Sequence, residues 1–169
     1  MTQISVLILM GSDSDASVMQ AAVDVLRELQ VPCEMTVASA HRSPERVTRL
    51  VAAAPGRGVK VFIVGAGAAA HLAGVVAAHT SMPVIGVPID SSALKGLDAL
   101  LSTVQMPPGV PVATVSIGKP GATNAGVLAA QILAVGDPSV AQRLERYKKE
   151  LAEKVEAAAE KLRTSNAER

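Results

Sequence analysis

Aromatic side chains are almost missing from this chain: one Phe, one Tyr and no Trp occur in 169 residues. Phe62 and Tyr147 cannot supply the stacking platforms that nucleic-acid binders lay under bases. Nor is there a basic surplus, since sixteen Lys and Arg face fifteen Asp and Glu for a formal charge of +1; no nucleic-acid partner is expected. The lone Cys33 leaves no internal disulfide and no Cys-rich metal site, which suits a reduced, cytoplasmic setting. Apolar runs are short. The Ala-rich stretches are broken by His, Gly and Pro before reaching the roughly 18 residues of a membrane span, so no membrane partner is expected. The opening MTQISVLILMGSDSD has no basic segment ahead of its apolar run and reads as a first strand, not a signal peptide.

What is present is an aliphatic chain of 17.3 kDa, 49% apolar, with a mean hydropathy of +0.34. Low charge with this apolar content argues against disorder, and the length fits one domain with a core of Ala, Val, Leu, Ile and Met. Apolar runs at 5–10, 33–38, 59–64, 84–87 and 112–117 read as strands. The first and third are continuous enough to be buried on both faces. Between and after them lie helical patterns: from residue 16 with Ser14 or Asp15 as cap, from Pro44 with Ser43 as cap, and at 68–79, 92–104 and 122–135. The alternation predicts an α/β fold, a five-stranded parallel sheet with helices on both faces. Residues 1–138 form this single domain. Residues 139–163 form a long charged helix whose Val140, Leu144, Tyr147, Leu151, Val155, Ala158 and Leu162 recur at three- and four-residue spacing. It is too long to lie wholly over a small sheet, so its stripe is expected to pack on the domain and on a neighbouring subunit. Residues 164–169 are expected to be a disordered tail.

Four segments follow predicted strands and should converge on one sheet edge, where such folds bind ligands: GSDSD (11–15), SAHRSP (39–44), GAGAAAH (65–71) and VPIDSS (87–92). In the first, Ser12 suits a phosphate and Asp15 a ribose hydroxyl, while helix capping by Ser14 and Asp15 explains the same residues equally well. In the second, Ser39 offers a hydroxyl and Arg42 a bidentate anion contact. His41 there offers an imidazole that moves protons near neutral pH. In the third, Gly and Ala around His71 let a ligand approach the backbone. Gly65 and Gly67 lack the third glycine and the acidic residue of a dinucleotide fingerprint, so no nicotinamide cofactor is expected. His41, His71 and His79 have no metal-ligand spacing, and no GxSxG elbow is present. No metal and no nicotinamide cofactor are therefore expected.

Taken together, GSDSD, SAHRSP, GAGAAAHL, PVIGVP, QMPPGVPVATVSIG and NAGVLAAQIL occur in order over nearly the whole chain. In these the sequence closely resembles the bacterial-type 5-(carboxyamino)imidazole ribonucleotide mutases, the catalytic subunits of phosphoribosylaminoimidazole carboxylase in purine biosynthesis. The resemblance implies a flavodoxin-like three-layer αβα sandwich, a homo-octamer and a small-molecule ribonucleotide substrate. It implies a reaction that moves a carboxylate from the exocyclic nitrogen to the adjacent ring carbon without ATP, biotin or metal, and so with no cofactor. His41 would be the general acid/base. Ser12, Asp15, Ser39 and Arg42 would hold phosphate and ribose; Gly67, Ala68, His71 and Leu72 would line the imidazole and carboxylate end. The related carboxylases that use free carbon dioxide usually have Lys where Arg42 stands and lack Ala69-Ala70-His71-Leu72, which favours the mutase. Ala73 replaces a Pro common in the family, and Ser43 a common Thr. The alternatives are such a carboxylase, or a non-catalytic flavodoxin-like flavin or nucleotide carrier, for which aromatic walls are lacking.

Overall fold

The computed structural model describes residues 3–167. Five parallel strands make one sheet: β1 (Val6–Met10), β2 (Cys33–Val37), β3 (Val61–Gly67), β4 (Val84–Ile89) and β5 (Ala113–Thr114), in the order β2-β1-β3-β4-β5. Six helices complete it: α1 (Ala16–Glu28), α2 (Pro44–Ala53), α3 (Leu72–Ala78), α4 (Leu97–Val104), α5 (Gly118–Ala134) and α6 (Pro138–Ala167). The direction in which the sheet grows reverses between β1 and β3. The loops leaving those strands therefore diverge and open a crevice at the carboxyl edge, the usual place for a ligand in such sheets.

The uninterrupted apolar run of β1 follows from burial on both faces. Val6, Ile8 and Met10 face a core completed by α1, α5 and α6, while Leu7 and Leu9 face a second core under α2, α3 and α4. β3 divides likewise, with Ile63 on the first side and Phe62 and Val64 on the second. Small residues set the spacing of the first layer. Gly126 of α5 lies so close to α1 that a Cβ there would meet the Val25 side chain and the Ala22 carbonyl.

Several boundaries differ from the sequence reading, each for a local reason. The helix expected from residue 68 begins at Leu72, because Ala68 adopts a left-handed φ of 51°. The helix expected from 92 begins at Leu97, after left-handed Lys95 (φ 51°) and Gly96 (φ 85°). That expected from 122 begins at Gly118, and the strand expected over 112–117 is confined to Ala113–Thr114, the two residues that pair with β4 at the sheet edge. Asp15 stands at the α1 N-cap position but makes no capping bond; Ser12 instead caps a 3₁₀ turn over Asp13–Asp15. Ser43 precedes α2 without capping it, because its hydroxyl accepts from the Ser39 N–H at 3.1 Å.

α6 starts on an Asx cap. The Asp137 carboxylate accepts from Ser139 N at 2.9 Å and Val140 N at 3.3 Å, and Pro138 fills the first helical position. Val140 and Leu144 are buried and Tyr147 packs against them, whereas Leu151, Val155 and Leu162 are exposed. The helix continues beyond residue 163 to Ala167. The disordered tail expected over 164–169 thus falls partly on this helix, and its last two residues lie outside those described. None of the described helices is long and apolar enough to cross a membrane.

Candidate active site

The loops leaving β1, β2, β3 and β4 enclose a cavity of about 310 Å³ at the carboxyl edge of the sheet. Of the residues singled out in the sequence, Ser12, Asp15, Ser39, His41, Arg42, Gly67 and Leu72 line it. His71 joins through His41: His41 Nε2 lies 2.8 Å from His71 Nδ1, with the rings edge to face. One nitrogen must donate and the other accept, so the contact holds one shared proton. Ala68 does not line the cavity; its left-handed backbone turns the loop that carries His71. His79 ends α3, away from the cavity.

The first end of the cavity is polar. Arg42 Nη2 donates to the Gly11 carbonyl at 2.7 Å, and its Nε reaches the Ser39 hydroxyl at 3.4 Å. The guanidinium thus ties the end of β2 to the end of β1, and its remaining N–H groups are available to an anion. Ser14 Oγ donates to Ser12 Oγ at 2.9 Å. Asp15 is only 6% exposed. Burial pushes its carboxyl above the ordinary carboxylate range, against the opposing effects of the Ser12 backbone and the Arg42 charge.

The other end is small and largely apolar. Gly67 leaves room there for Ser91, whose hydroxyl a Cβ at this position would displace. Ala66, Ala69 and Leu72 complete the wall. The loop behind it is fixed by α4: Ser102 Oγ accepts from the Ala70 N–H at 3.2 Å and donates to the Asp98 carbonyl. Neither aromatic residue lines the cavity, since Phe62 is fully buried in β3 and Tyr147 lies on α6. Among the described residues there is no cluster of three potential metal ligands.

Ser14, read from the sequence as a cap, and Ala69 also line the site, as do four residues not named individually from the sequence: Gly11, Ala40, Ala66 and Ser91. Ser91 falls in VPIDSS, a strand-end segment that the sequence marks, though spacing alone does not say which of its two serines faces inward. A larger cavity of about 500 Å³ lies at the opposite edge of the sheet, among Pro32, Lys60, Ile132 and Val140. It gathers no imidazole and none of the hydroxyl cluster, so the chemistry belongs to the smaller one.

The arrangement gathers hydroxyls, a carboxylate and a guanidinium at one end, a paired imidazole in the middle and a tight wall at the other. Comparison with known proteins identifies relatives of the whole chain. The profile of the AIR carboxylase family, described as "AIR carboxylase", matches residues 5–154. The chain is 53% identical over 155 residues to the N5-carboxyaminoimidazole ribonucleotide mutase of Bacillus subtilis (strain 168), covering 92% of this chain and 96% of that one. It is 52% identical over 162 residues to the mutase of the same name from Pyrococcus horikoshii, covering 96% and 90%. Among solved structures it resembles Treponema denticola PurE with a TM-score of 0.84 at 28% identity, over 95% of this chain and 99% of that one.

Proposed function

The chain belongs to the AIR carboxylase family, and from that membership we propose that its cavity isomerises 5-(carboxyamino)imidazole ribonucleotide to 5-amino-4-imidazolecarboxylate ribonucleotide. It is an isomerase of purine biosynthesis. The observation that carries the residue assignment is the His41–His71 pair, set between a hydroxyl and guanidinium cluster and a wall of Gly, Ala and Leu.

Ser12, Ser39 and Arg42 hold the phosphate, and Asp15 accepts from a ribose hydroxyl. This places the imidazole over Gly67 and Leu72. His41 then gives a proton to the exocyclic nitrogen. The bond from that nitrogen to the carboxylate carbon breaks, its electrons return to the nitrogen, and carbon dioxide is released inside the pocket. The adjacent ring carbon, made nucleophilic by the amino group, attacks carbon dioxide and forms the new carbon–carbon bond. His41 takes the proton that the ring carbon gives up, so protons balance over the cycle. His71, sharing a proton with His41 through the 2.8 Å contact, orients the ring and fixes its tautomer. General acid/base action of this kind contributes about 10²–10⁴-fold. The close wall retains carbon dioxide beside the carbon, a proximity effect.

The residues present account for this sequence of proton transfers with no cofactor. Leu97, Leu101 and Val104 of α4, together with Leu151, Val155 and Leu162 of α6, leave exposed apolar stripes. They support assembly of copies of this chain, for which the family resemblance suggests eight. A cytoplasmic location goes with the single Cys33, which has no second cysteine in the chain to pair with.

The test is direct isomerisation of the carboxyamino substrate by pure protein, without ATP, metal or added bicarbonate. Conversion is expected, and His41→Asn should reduce it by at least about 10²-fold while ribonucleotide binding persists. Normal turnover by that variant would remove His41 from the reaction. Net carboxylation of aminoimidazole ribonucleotide at physiological bicarbonate, with no isomerisation, would instead establish the carboxylase.

A further inference from the structure

The hydroxyls of the cavity are unevenly committed. Ser14 Oγ donates to Ser12 Oγ, Ser12 Oγ donates to the Asp13 carboxylate at 3.2 Å, and Ser39 Oγ accepts from the Arg42 N–H at 3.2 Å. These three lie after β1 and β2. Ser91 follows β4 and lines the same cavity, yet among the described residues its hydroxyl makes no hydrogen bond. Only its backbone is engaged, the N–H donating to the Ile89 carbonyl at 3.0 Å.

Its side chain is exposed and lies against Gly67. Gly67 pairs with Ile89 across β3 and β4, and the missing side chain at 67 is what makes room for the Ser91 hydroxyl. In the order β2-β1-β3-β4, three strand spacings of about 4.8 Å separate the end of β2 from that of β4, or about 14 Å. A ribonucleotide with its phosphate over β1 and β2 therefore extends its base towards β3 and β4. The group that distinguishes the carboxylated ribonucleotides from the decarboxylated one is an anionic carboxylate, an acceptor of hydrogen bonds. At this end of the pocket Ser91 supplies an uncommitted hydroxyl donor.

We propose that the Ser91 hydroxyl, held over Gly67, donates a hydrogen bond to the substrate's migrating carboxylate and so makes the β4 end of the cavity the part that selects carboxylated ribonucleotide. This rests on the function proposed above. A hydrogen bond to a charged carboxylate is stronger than one between neutral groups. Its loss corresponds to about 10- to 100-fold in affinity.

The experiment is calorimetric titration of wild type and Ser91→Ala with two probes, 5-amino-4-imidazolecarboxylate ribonucleotide and 5-aminoimidazole ribonucleotide. The variant removes one oxygen and adds no bulk. The carboxylated probe should bind the variant about tenfold or more weakly, with the decarboxylated probe unchanged. Equal weakening of both probes, or of neither, overturns the role of Ser91 and leaves the function standing. Wild-type protein that binds neither ribonucleotide overturns both.

Discussion

Asp15 is the carboxylate that its surroundings alter most within the site, and the sign of the change makes it testable. Burial raises its folded value above the unfolded one. Its contribution is then fully present below the unfolded value, about pH 4, and is lost as pH rises through the raised folded value. At neutral pH the ionised carboxylate is therefore a cost to folding. Asp15→Asn removes the titration. The variant should unfold at a higher urea concentration than wild type near pH 7, the gap should close towards pH 4, and ribonucleotide affinity should fall. Urea midpoints across pH, with a parallel ligand titration, check both halves. Much at this scale can be read from spacing. Ser12, Asp15, Ser39, His41 and Arg42 each follow an apolar strand, and strand ends meet in a parallel sheet. The His41–His71 contact cannot be read that way, because it joins residues 30 apart through a loop whose course depends on left-handed Ala68. The free hydroxyl of Ser91 was hidden for the same reason: a turn decides which way it points.

Among the elements, strands and long helices follow from periodicity, while helix starts do not. An apolar pattern continues through Ala68 and Lys95 in the sequence, yet both residues take positive φ and break the helical hydrogen-bonding series. The close pairing of α1 with α5 was also outside the reach of a hydrophobic pattern, since Ala and Gly are weak signals of burial. In the structure Gly121, Ala122, Ala125, Gly126, Ala129 and Ala130 form the buried face of α5. Small residues bring the helix backbones close, so a larger side chain has nowhere to go. Gly126→Val should push α5 from α1 and lower stability by about 1–3 kcal/mol. Thermal unfolding measures the loss. An unchanged Tm would mean that the two helices separate without cost.

For the molecule as a whole, surface composition is the guide. Leu97, Leu101 and Val104 stand on one side of α4, between 47% and 51% exposed, and Val155 and Leu162 of α6 are each 66% exposed. A monomer would leave both stripes in water at about 25 cal/mol for each Å² of apolar surface. Light scattering should therefore give a multiple of the 17.3 kDa chain mass, eight copies by family resemblance, and Leu101→Glu should shift it to smaller species. A wild-type monomer would remove the subunit role of α6. The Ser102 bridge adds a link between scales, because α4 carries one of these stripes while holding the loop of His71. The placement of the single tyrosine has an optical consequence. With no tryptophan in the chain, near-ultraviolet emission arises from Tyr147, partly buried where α6 meets the domain. The protein thus carries a built-in fluorophore at the root of the helix that assembly would cover. Its low background absorbance leaves the imidazole chromophore visible during turnover.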